Sequence, residues 1–200
     1  MRFVDAAGTS VHYQTAGTDE GAALTFLFLH GAAFTSATWV ENGVLEAVSV
    51  EDFRSIAIDL PGYGQSSPTD LTNEHVVPEI MAALHLDATK TIIVAPSISG
   101  TFILPSFQRG SLRDLAGFVG VAPVGSADFA ASLSEPLSVR ALAVWGDGDG
   151  ADPRGQAEAL ARAFASSEVV VVPDAGHAAY NQQPALFAAL LLDFARSIVA

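Results

Sequence analysis

The sequence predicts an α/β fold, a mostly parallel central sheet with helices on both faces, and three observations carry that expectation. Short runs rich in Val, Ile, Leu and Phe recur along the chain, each near the usual strand length. Longer segments of helical spacing separate them, which is the alternation that a covered parallel sheet requires. Each apolar run ends in a Gly, Pro, Asp or His cluster, where a chain leaves a sheet. Half of the 200 residues are apolar, ample for one buried core. That length leaves no room for a second domain, so residues 1–200 are expected to fold as one.

The elements follow in chain order. Arg2 to Asp5 and Val11 to Thr15 flank the turn sequence AAGTS and read as an N-terminal antiparallel hairpin at the sheet edge. Thr25 to Leu29 is the first central strand, followed by a helix over Thr38 to Val48. Ser55 to Asp59 and Thr91 to Ala95 are strands on either side of a helix at Asn73 to Leu86. A helix at Gly100 to Gln108 leads to a further strand at Gly117 to Val121. Residues 122–139, rich in Ser, Ala and Pro, fit either a short helix or an irregular loop. Two strands remain, Ala141 to Trp145 and Glu168 to Val172, with helices at Pro153 to Phe164 and Pro184 to Ile198. Both prolines fall in a first helical turn, where no amide partner is lost.

Charge and composition exclude several function classes. Nine basic against 22 acidic residues give a formal charge of −13, which repels phosphate backbones and anionic membrane faces. No nucleic-acid or membrane partner is expected. The chain has no Cys, which removes disulfides, thiolate zinc sites and cysteine nucleophiles. MRFVDAAGTSVHY lacks the apolar core of a secretory signal, and the apolar run Leu186 to Leu192 is too short to span a bilayer. A soluble, cytoplasmic protein is the expectation.

Chemistry is sought beyond the carboxyl ends of the strands, where open α/β sheets bind ligands. After TIIVA comes APSISG and then an apolar helical segment, so Ser97 sits at a tight strand-to-helix junction. Such an elbow needs small residues two before and two after the nucleophile, and Ala95 and Ser99 meet that need. The usual pattern is G-x-S-x-G, whereas here Gly100 falls one position late. Ser97 read alone fits a helix N-cap equally well. What separates the readings is order: Ser97, then WGDGDGAD, then His177 in DAGH, each just past a strand. A serine hydroxyl is a poor nucleophile without an imidazole to take its proton, and that imidazole needs a carboxylate to fix its tautomer.

Asp149 is the chosen acid, because it lies three residues past Gly146, where a loop can turn it toward His177. Asp147 and Asp152 compete for the role; Asp152 is also well placed to cap the helix at Pro153. HGAAF follows the first central strand, so the backbone N–H groups of Ala32 and Ile98 are assigned as oxyanion donors. His30 is read as structural, holding that loop through a side-chain hydrogen bond. DLPGYGQS, from Asp59 to Ser66, is read as a structural loop shaped by Pro61, Gly62 and Gly64. His12, His75 and His85 show no metal-ligand spacing, and no metal or cofactor is expected.

Together HGAAF, DLPGYGQS, the serine elbow, WGDGD and DAGH resemble the α/β-hydrolase superfamily over nearly the whole chain. VAPSISGTFILPSF, with Pro96 and Pro105, and GFVGVAP resemble within it the small abhydrolase-domain-containing fourteen family. The resemblance implies Ser97 as nucleophile, Asp149 as acid and His177 as base, in agreement with the residues themselves. It also implies hydrolysis of small acyl esters, and removal of acetyl groups from lysine side chains with transfer to coenzyme A. Against coenzyme A as acceptor stands the charge: Lys90 and eight arginines show no basic patch for a polyanion.

The stretch between Ser97 and Asp149 has room for a helix, two strands and a connection, so no cap domain is expected. An open site follows, bounded by Ala32, Phe34, Phe102, Phe129 and Tyr180 and suited to a small acyl substrate. Two rivals remain at this level. One is a catalytically silent interaction module on the same scaffold. The other keeps the triad for thioester cleavage, acyl transfer or perhydrolysis.

Overall fold

A computed structural model describes residues 2–18, 21–50 and 52–200. Strands β1 (Arg2–Ala6) and β2 (Thr9–Ala16) form the expected hairpin, closed by the two-residue loop Ala7–Gly8. Both loop residues have positive φ, +50° and +84°, the backbone that matches the twist of a tight hairpin. β2 also pairs antiparallel with β4 (Phe53–Ile58), with Tyr13 opposite Ile58. β3 (Leu24–Phe28), β5 (Thr91–Pro96), β6 (Gly117–Val121), β7 (Leu137–Gly146) and β8 (Phe164–Val172) complete a sheet whose remaining pairs are parallel. Its order, β1-β2-β4-β3-β5-β6-β7-β8, has the crossovers of a doubly covered α/β sheet.

Alternation along the strands divides the core in two. Leu27, Ile56, Ile58 and Ile93 face one side, where they meet Val77 and Ile80 of α3 (Asn73–Ala83) and Ile103 and Phe107 of α4 (Gly100–Arg109). Phe129 of α5 (Ser126–Ser132) and Leu160 of α6 (Pro153–Ala161) join that side. Phe26, Phe28, Ile92 and Val94 face the other, against Trp39 of α1 (Ala37–Glu41) and Leu45 of α2 (Val44–Ala47). α7 (Ala179–Gln182) leads into α8 (Pro184–Val199), whose Phe187 and Leu191 close that layer. Strands buried on both faces are continuous apolar runs, which is why β3, β5 and β6 were legible.

Several boundaries differ from expectation. The helix expected over Thr38 to Val48 breaks into α1 and α2, because Gly43 takes a left-handed φ of +77°. Residues 122–139 hold α5 and the start of β7, whose register shifts between Leu137 and Arg140. The helix expected to reach Phe164 ends at Ala161. Phe164 instead opens β8 and buries its ring beside Phe107 and Phe118. No helix of the described residues is long and apolar enough to cross a membrane.

Candidate active site

β5 ends at Pro96 and the chain turns through Ser97–Ser99 into α4. Ser97 has φ +52°, a left-handed conformation that a side chain adopts only at a cost, and strain of this kind gathers at functional turns. The turn is held from both sides. Val124 N–H donates to Ser97 O at 2.8 Å, and Ser99 Oγ donates to the carbonyl of His30 at 2.7 Å. A Cβ at Gly100 would collide with the Val124 backbone, so the glycine one position late is the one the close approach requires. Ser97 caps no helix; its hydroxyl lies 2.8 Å from His177 Nε2.

His177 projects from the loop after β8. Asp147 accepts from the amides of Asp174 and Ala175, both at 3.2 Å, and Gln182 Oε1 accepts from Gly176 N–H at 2.6 Å. A Cβ at Gly146 would strike the carbonyl oxygens of Ala175 and Gly176, so the end of β7 and the histidine loop meet through bare backbone. His177 Nδ1 lies 2.9 Å from Asp149 Oδ2. With Nδ1–H donating to that carboxylate, the neutral ring presents its Nε2 lone pair to the Ser97 hydroxyl. His177 is 54 % exposed and Asp149 19 %, so the imidazole is open to solvent and its partner is half-buried. The three clustered aspartates thus separate: Asp149 faces the imidazole, Asp147 holds the loop, and Asp152 caps α6 by accepting from Gly155 N–H at 2.9 Å.

The loop after β3 lies beside Ser97. His30 is fully buried; its Nδ1–H donates to Gly31 O at 2.9 Å and its Nε2 accepts from Leu60 N–H at 2.9 Å. Burial pushes its pKa below the usual value and outweighs the opposing pull of the Gly31 carbonyl and Asp59. It is a neutral brace, as the sequence suggested. At Gly31 a Cβ would sit 3.2 Å from the Phe34 ring, 3.2 Å from the Tyr180 hydroxyl and 3.8 Å from Ser97 Cβ. That glycine lets the loop pass close to the serine. Among the described residues no backbone hydrogen bond uses the Ala32 N–H. Ile98 N–H lies in the first turn after Ser97, where intrahelical acceptors are missing.

A cavity of about 610 Å³ opens from His177 and Asp149 toward α5 and α6, and includes Pro123, Asp128, Trp145 and Gln156 in its lining. None of Phe34, Phe102, Phe129 and Tyr180 lines it. Phe129 is buried against Phe107 and Phe164, and Phe102 packs on the same core. Tyr180 is buried beneath Phe34 and beside Trp39, and burial raises its phenol well above the usual range. The expected aromatic rim is corrected at Phe129 and Tyr180, whose rings turn inward for the core, whereas Phe34 and Phe102 are half-buried and Phe34 stays beside Gly31. Among the described residues no group of three or more His, Asp or Glu side chains is arranged to hold a metal ion.

Sequence reasoning missed the residues that act at a distance. Gln182 was not singled out, and the bracing contacts of Ser99 and Asp147, named for other roles, had no local signal because each partner is remote or on a separate turn. It also missed a second His–Asp pair. His12 Nδ1 lies 3.0 Å from Asp59 Oδ2, and Asp59 further accepts from the amides of Ser36 at 2.7 Å and Gln65 at 2.8 Å.

Residues 26–145 match the sequence profile of the alpha/beta hydrolase family. ABHD14A of Rattus norvegicus is 34 % identical over 171 residues, 84 % of this chain and 70 % of the relative. ABHD14B of Homo sapiens, a candidate protein-lysine deacylase, is 31 % identical over 205 residues, 98 % of this chain and 94 % of the relative. Among solved structures, the predicted CIB-like hydrolase of Thermoplasma acidophilum superposes with a TM-score of 0.86 at 22 % identity, covering 98 % of this chain and 97 % of that one. The esterase RhEst1 of Rhodococcus sp. ECU1013 superposes at 0.79 and 19 % identity, covering 98 % of each.

Proposed function

The chain belongs to the alpha/beta hydrolase family, and from that premise we propose that it is a serine hydrolase cleaving small acyl esters or amides through an acyl-enzyme on Ser97. One observation carries the proposal: His177 stands 2.8 Å from the Ser97 hydroxyl on one side and 2.9 Å from Asp149 on the other. Those are the distances at which an imidazole takes a serine proton while a carboxylate holds its tautomer.

In the proposed cycle His177 Nε2 takes the Ser97 proton as Oγ bonds to the acyl carbon. The oxyanion accepts hydrogen bonds from the Ala32 and Ile98 amides, donors fixed before the charge develops. As the carbon–heteroatom bond breaks, Nε2 gives the proton to the leaving alcohol or amine. Water then loses a proton to Nε2 and attacks the acyl carbon, and the proton returns to Ser97 as the acid departs. Asp149 stays ionised and stabilises the imidazolium in both halves. The amide branch follows from the lysine deacylase name carried by ABHD14B. Only α5 stands between β6 and β7, so the acyl group enters without a cap over it, which favours short chains.

A fluorophosphonate reacts with an activated serine, and peptide mass spectrometry locates the adduct. The expected result is labelling of Ser97 that disappears in His177→Ala. Folded protein with no adduct would leave a silent module on a hydrolase scaffold.

A further inference from the structure

The two peptides that flank Gly31 present four polar ends, and three of them are held. The His30 carbonyl accepts from Ser99 Oγ at 2.7 Å, and the Gly31 carbonyl accepts from His30 Nδ1 at 2.9 Å and from Phe34 N–H at 3.0 Å. The Gly31 amide meets Tyr180. A Cβ built on Gly31 would lie 3.2 Å from the phenol oxygen, and the hydrogen bond between the Gly31 backbone and that oxygen favours the phenolate, as only a donated N–H can. The Tyr180 ring is packed in place, with its centroid 4.6 Å from that of Trp39, 5.8 Å from Phe34 and 6.1 Å from Phe187. The fourth end, the Ala32 N–H, takes part in no backbone hydrogen bond among the described residues, and Ala32 is exposed.

We infer that Ser99 and Tyr180 are positioning residues that clamp the His30–Gly31 peptide at its two ends and hold the Ala32 N–H in register with Ser97. The inference rests on the serine-hydrolase reading above and extends its machinery by two hydroxyls. The bonds from His30 and Phe34 are local, and they set the shape of the turn that presents the Ala32 amide. Those from Ser99 and Tyr180 come from outside the turn and set where it stands. A trans peptide is planar, so a donor on its carbonyl and an acceptor at its amide fix the whole plane. With no Cβ at Gly31, rotation from that plane into the next is otherwise little restricted. Both hydroxyls belong to the segments that carry the chemistry: Ser99 stands two residues after Ser97, and Tyr180 three residues after His177. Nucleophile, base and oxyanion donor are thereby held against one another, and a donor aimed in advance stabilises an oxyanion without reorganising.

The test removes each hydroxyl and keeps the bulk, in Ser99→Ala and Tyr180→Phe. Turnover of p-nitrophenyl acetate is measured beside inhibition by an aryl trifluoromethyl ketone, whose hemiketal mimics the oxyanion, with fluorophosphonate labelling of Ser97 as the control. Both variants are expected to lower kcat and kcat/KM together by roughly tenfold or more, the scale of a misplaced reacting geometry, with KM little changed. The inhibition constant of the ketone should rise by a similar factor, since its hemiketal oxygen needs the same donors. The double variant should lose little more than the larger single loss, because releasing either end frees the plane. A variant that melts lower yet keeps kcat and ketone affinity in its folded fraction overturns the inference and leaves the hydrolase reading standing, as do multiplicative losses in the double variant. If Ser99→Ala fails to fold, Tyr180→Phe decides alone on the same two readouts. Parent protein that neither labels nor turns over takes down both readings together.

Discussion

Two His–Asp pairs of nearly equal length sit in opposite surroundings in this molecule. His12 and Asp59 meet at 3.0 Å with side chains only 5 % and 2 % exposed, whereas His177 and Asp149 meet at 2.9 Å on the open side of the sheet. The difference lies in what surrounds each pair. Burial alone would raise the Asp59 carboxyl, but hydrogen bonds from Ser36 and Gln65 together with the nearby His12 outweigh it and hold the group below its usual range. Its oxygens are committed to β2, to the start of α1 and to the DLPGYGQS loop. The far ring nitrogen of His12 faces Gln65 Nε2, at 3.4 Å. At His177 the far nitrogen faces a strained serine instead. On the proposed reading, an imidazole and a carboxylate become a clasp or a proton relay according to what stands on the other side of the ring.

Breaking the two pairs should therefore affect different observables, and the largest effect belongs to the exposed one. Ser97→Ala is expected to lower kcat about 10⁶-fold, and Asp149→Asn about 10⁴-fold by freeing the wrong tautomer. Neither changes the melting temperature materially, because Ala fits the same turn and Asn keeps the shape of Asp. Turnover of a small acyl ester alongside a thermal melt checks both. A comparable loss of stability in Asp149→Asn would show that this pair is a clasp as well.

Asp59→Asn should act the other way. It leaves a buried amide N–H₂ facing donors from Ser36, Gln65 or His12, and a buried hydrogen-bonding group left without its partner costs about 1–3 kcal/mol. Chemical denaturation should read that loss, while the surviving folded fraction labels with fluorophosphonate as the parent does. Loss of labelling without loss of stability would move Asp59 into the catalytic apparatus.

Acid sharpens the same contrast. His30 has a folded pKa below its ordinary 6.5, so the unfolded chain binds the extra proton first. Its contribution is complete above pH 6.5 and is lost as pH falls below that value. Asp59 has a folded pKa below its ordinary 3.8, so its contribution is complete above pH 3.8 and is lost as pH falls through the folded value. Stability is expected to decline in two stages, and Asp59→Asn should shrink the second, which Glu74 and Asp87 also feed, while keeping the first. Denaturation midpoints at pH 7, 5 and 3 resolve the stages; an unchanged profile in Asp59→Asn would rule out the clasp as their source.

The exposed site was legible because its signals are local. Ser97, Asp149 and His177 each follow a strand that announces itself by a Val- and Ile-rich run, and the turns around them are rich in Gly and Asp. The clasp was not legible, since 47 positions separate His12 from Asp59 and neither has a neighbour that marks it. DLPGYGQS is a loop shaped by its glycines, Gly62 and Gly64 both having positive φ, and its own Asp59 anchors it, which the pattern did not signal. The same limit explains Phe129, assigned to a rim and found in the core. A seven-residue helix carries too little periodicity to say which side of an aromatic ring meets solvent. Where β8 opens with the polar ASSE segment, exposure at the sheet edge hides the strand from a pattern that looks for apolar runs.

The smallest effect separates the aspartates of the loop after β7. Asp152 accepts from Gly155 N–H at 2.9 Å and starts α6 with Pro153 in the first turn. Replacing such a cap by Ala typically costs about 1 kcal/mol, which in a chain of this size lowers a melting temperature by roughly 2–4 °C. Asp152→Ala should show that shift, and Asp149→Ala should not, because Asp149 makes its side-chain bond to a half-exposed histidine rather than to a helix amide. The assignment depends on the two variants differing. Equal shifts would mean that the loop responds as one acidic turn in which any carboxylate serves, and the choice of Asp149 over its neighbours would then rest on the 2.9 Å contact with His177 alone.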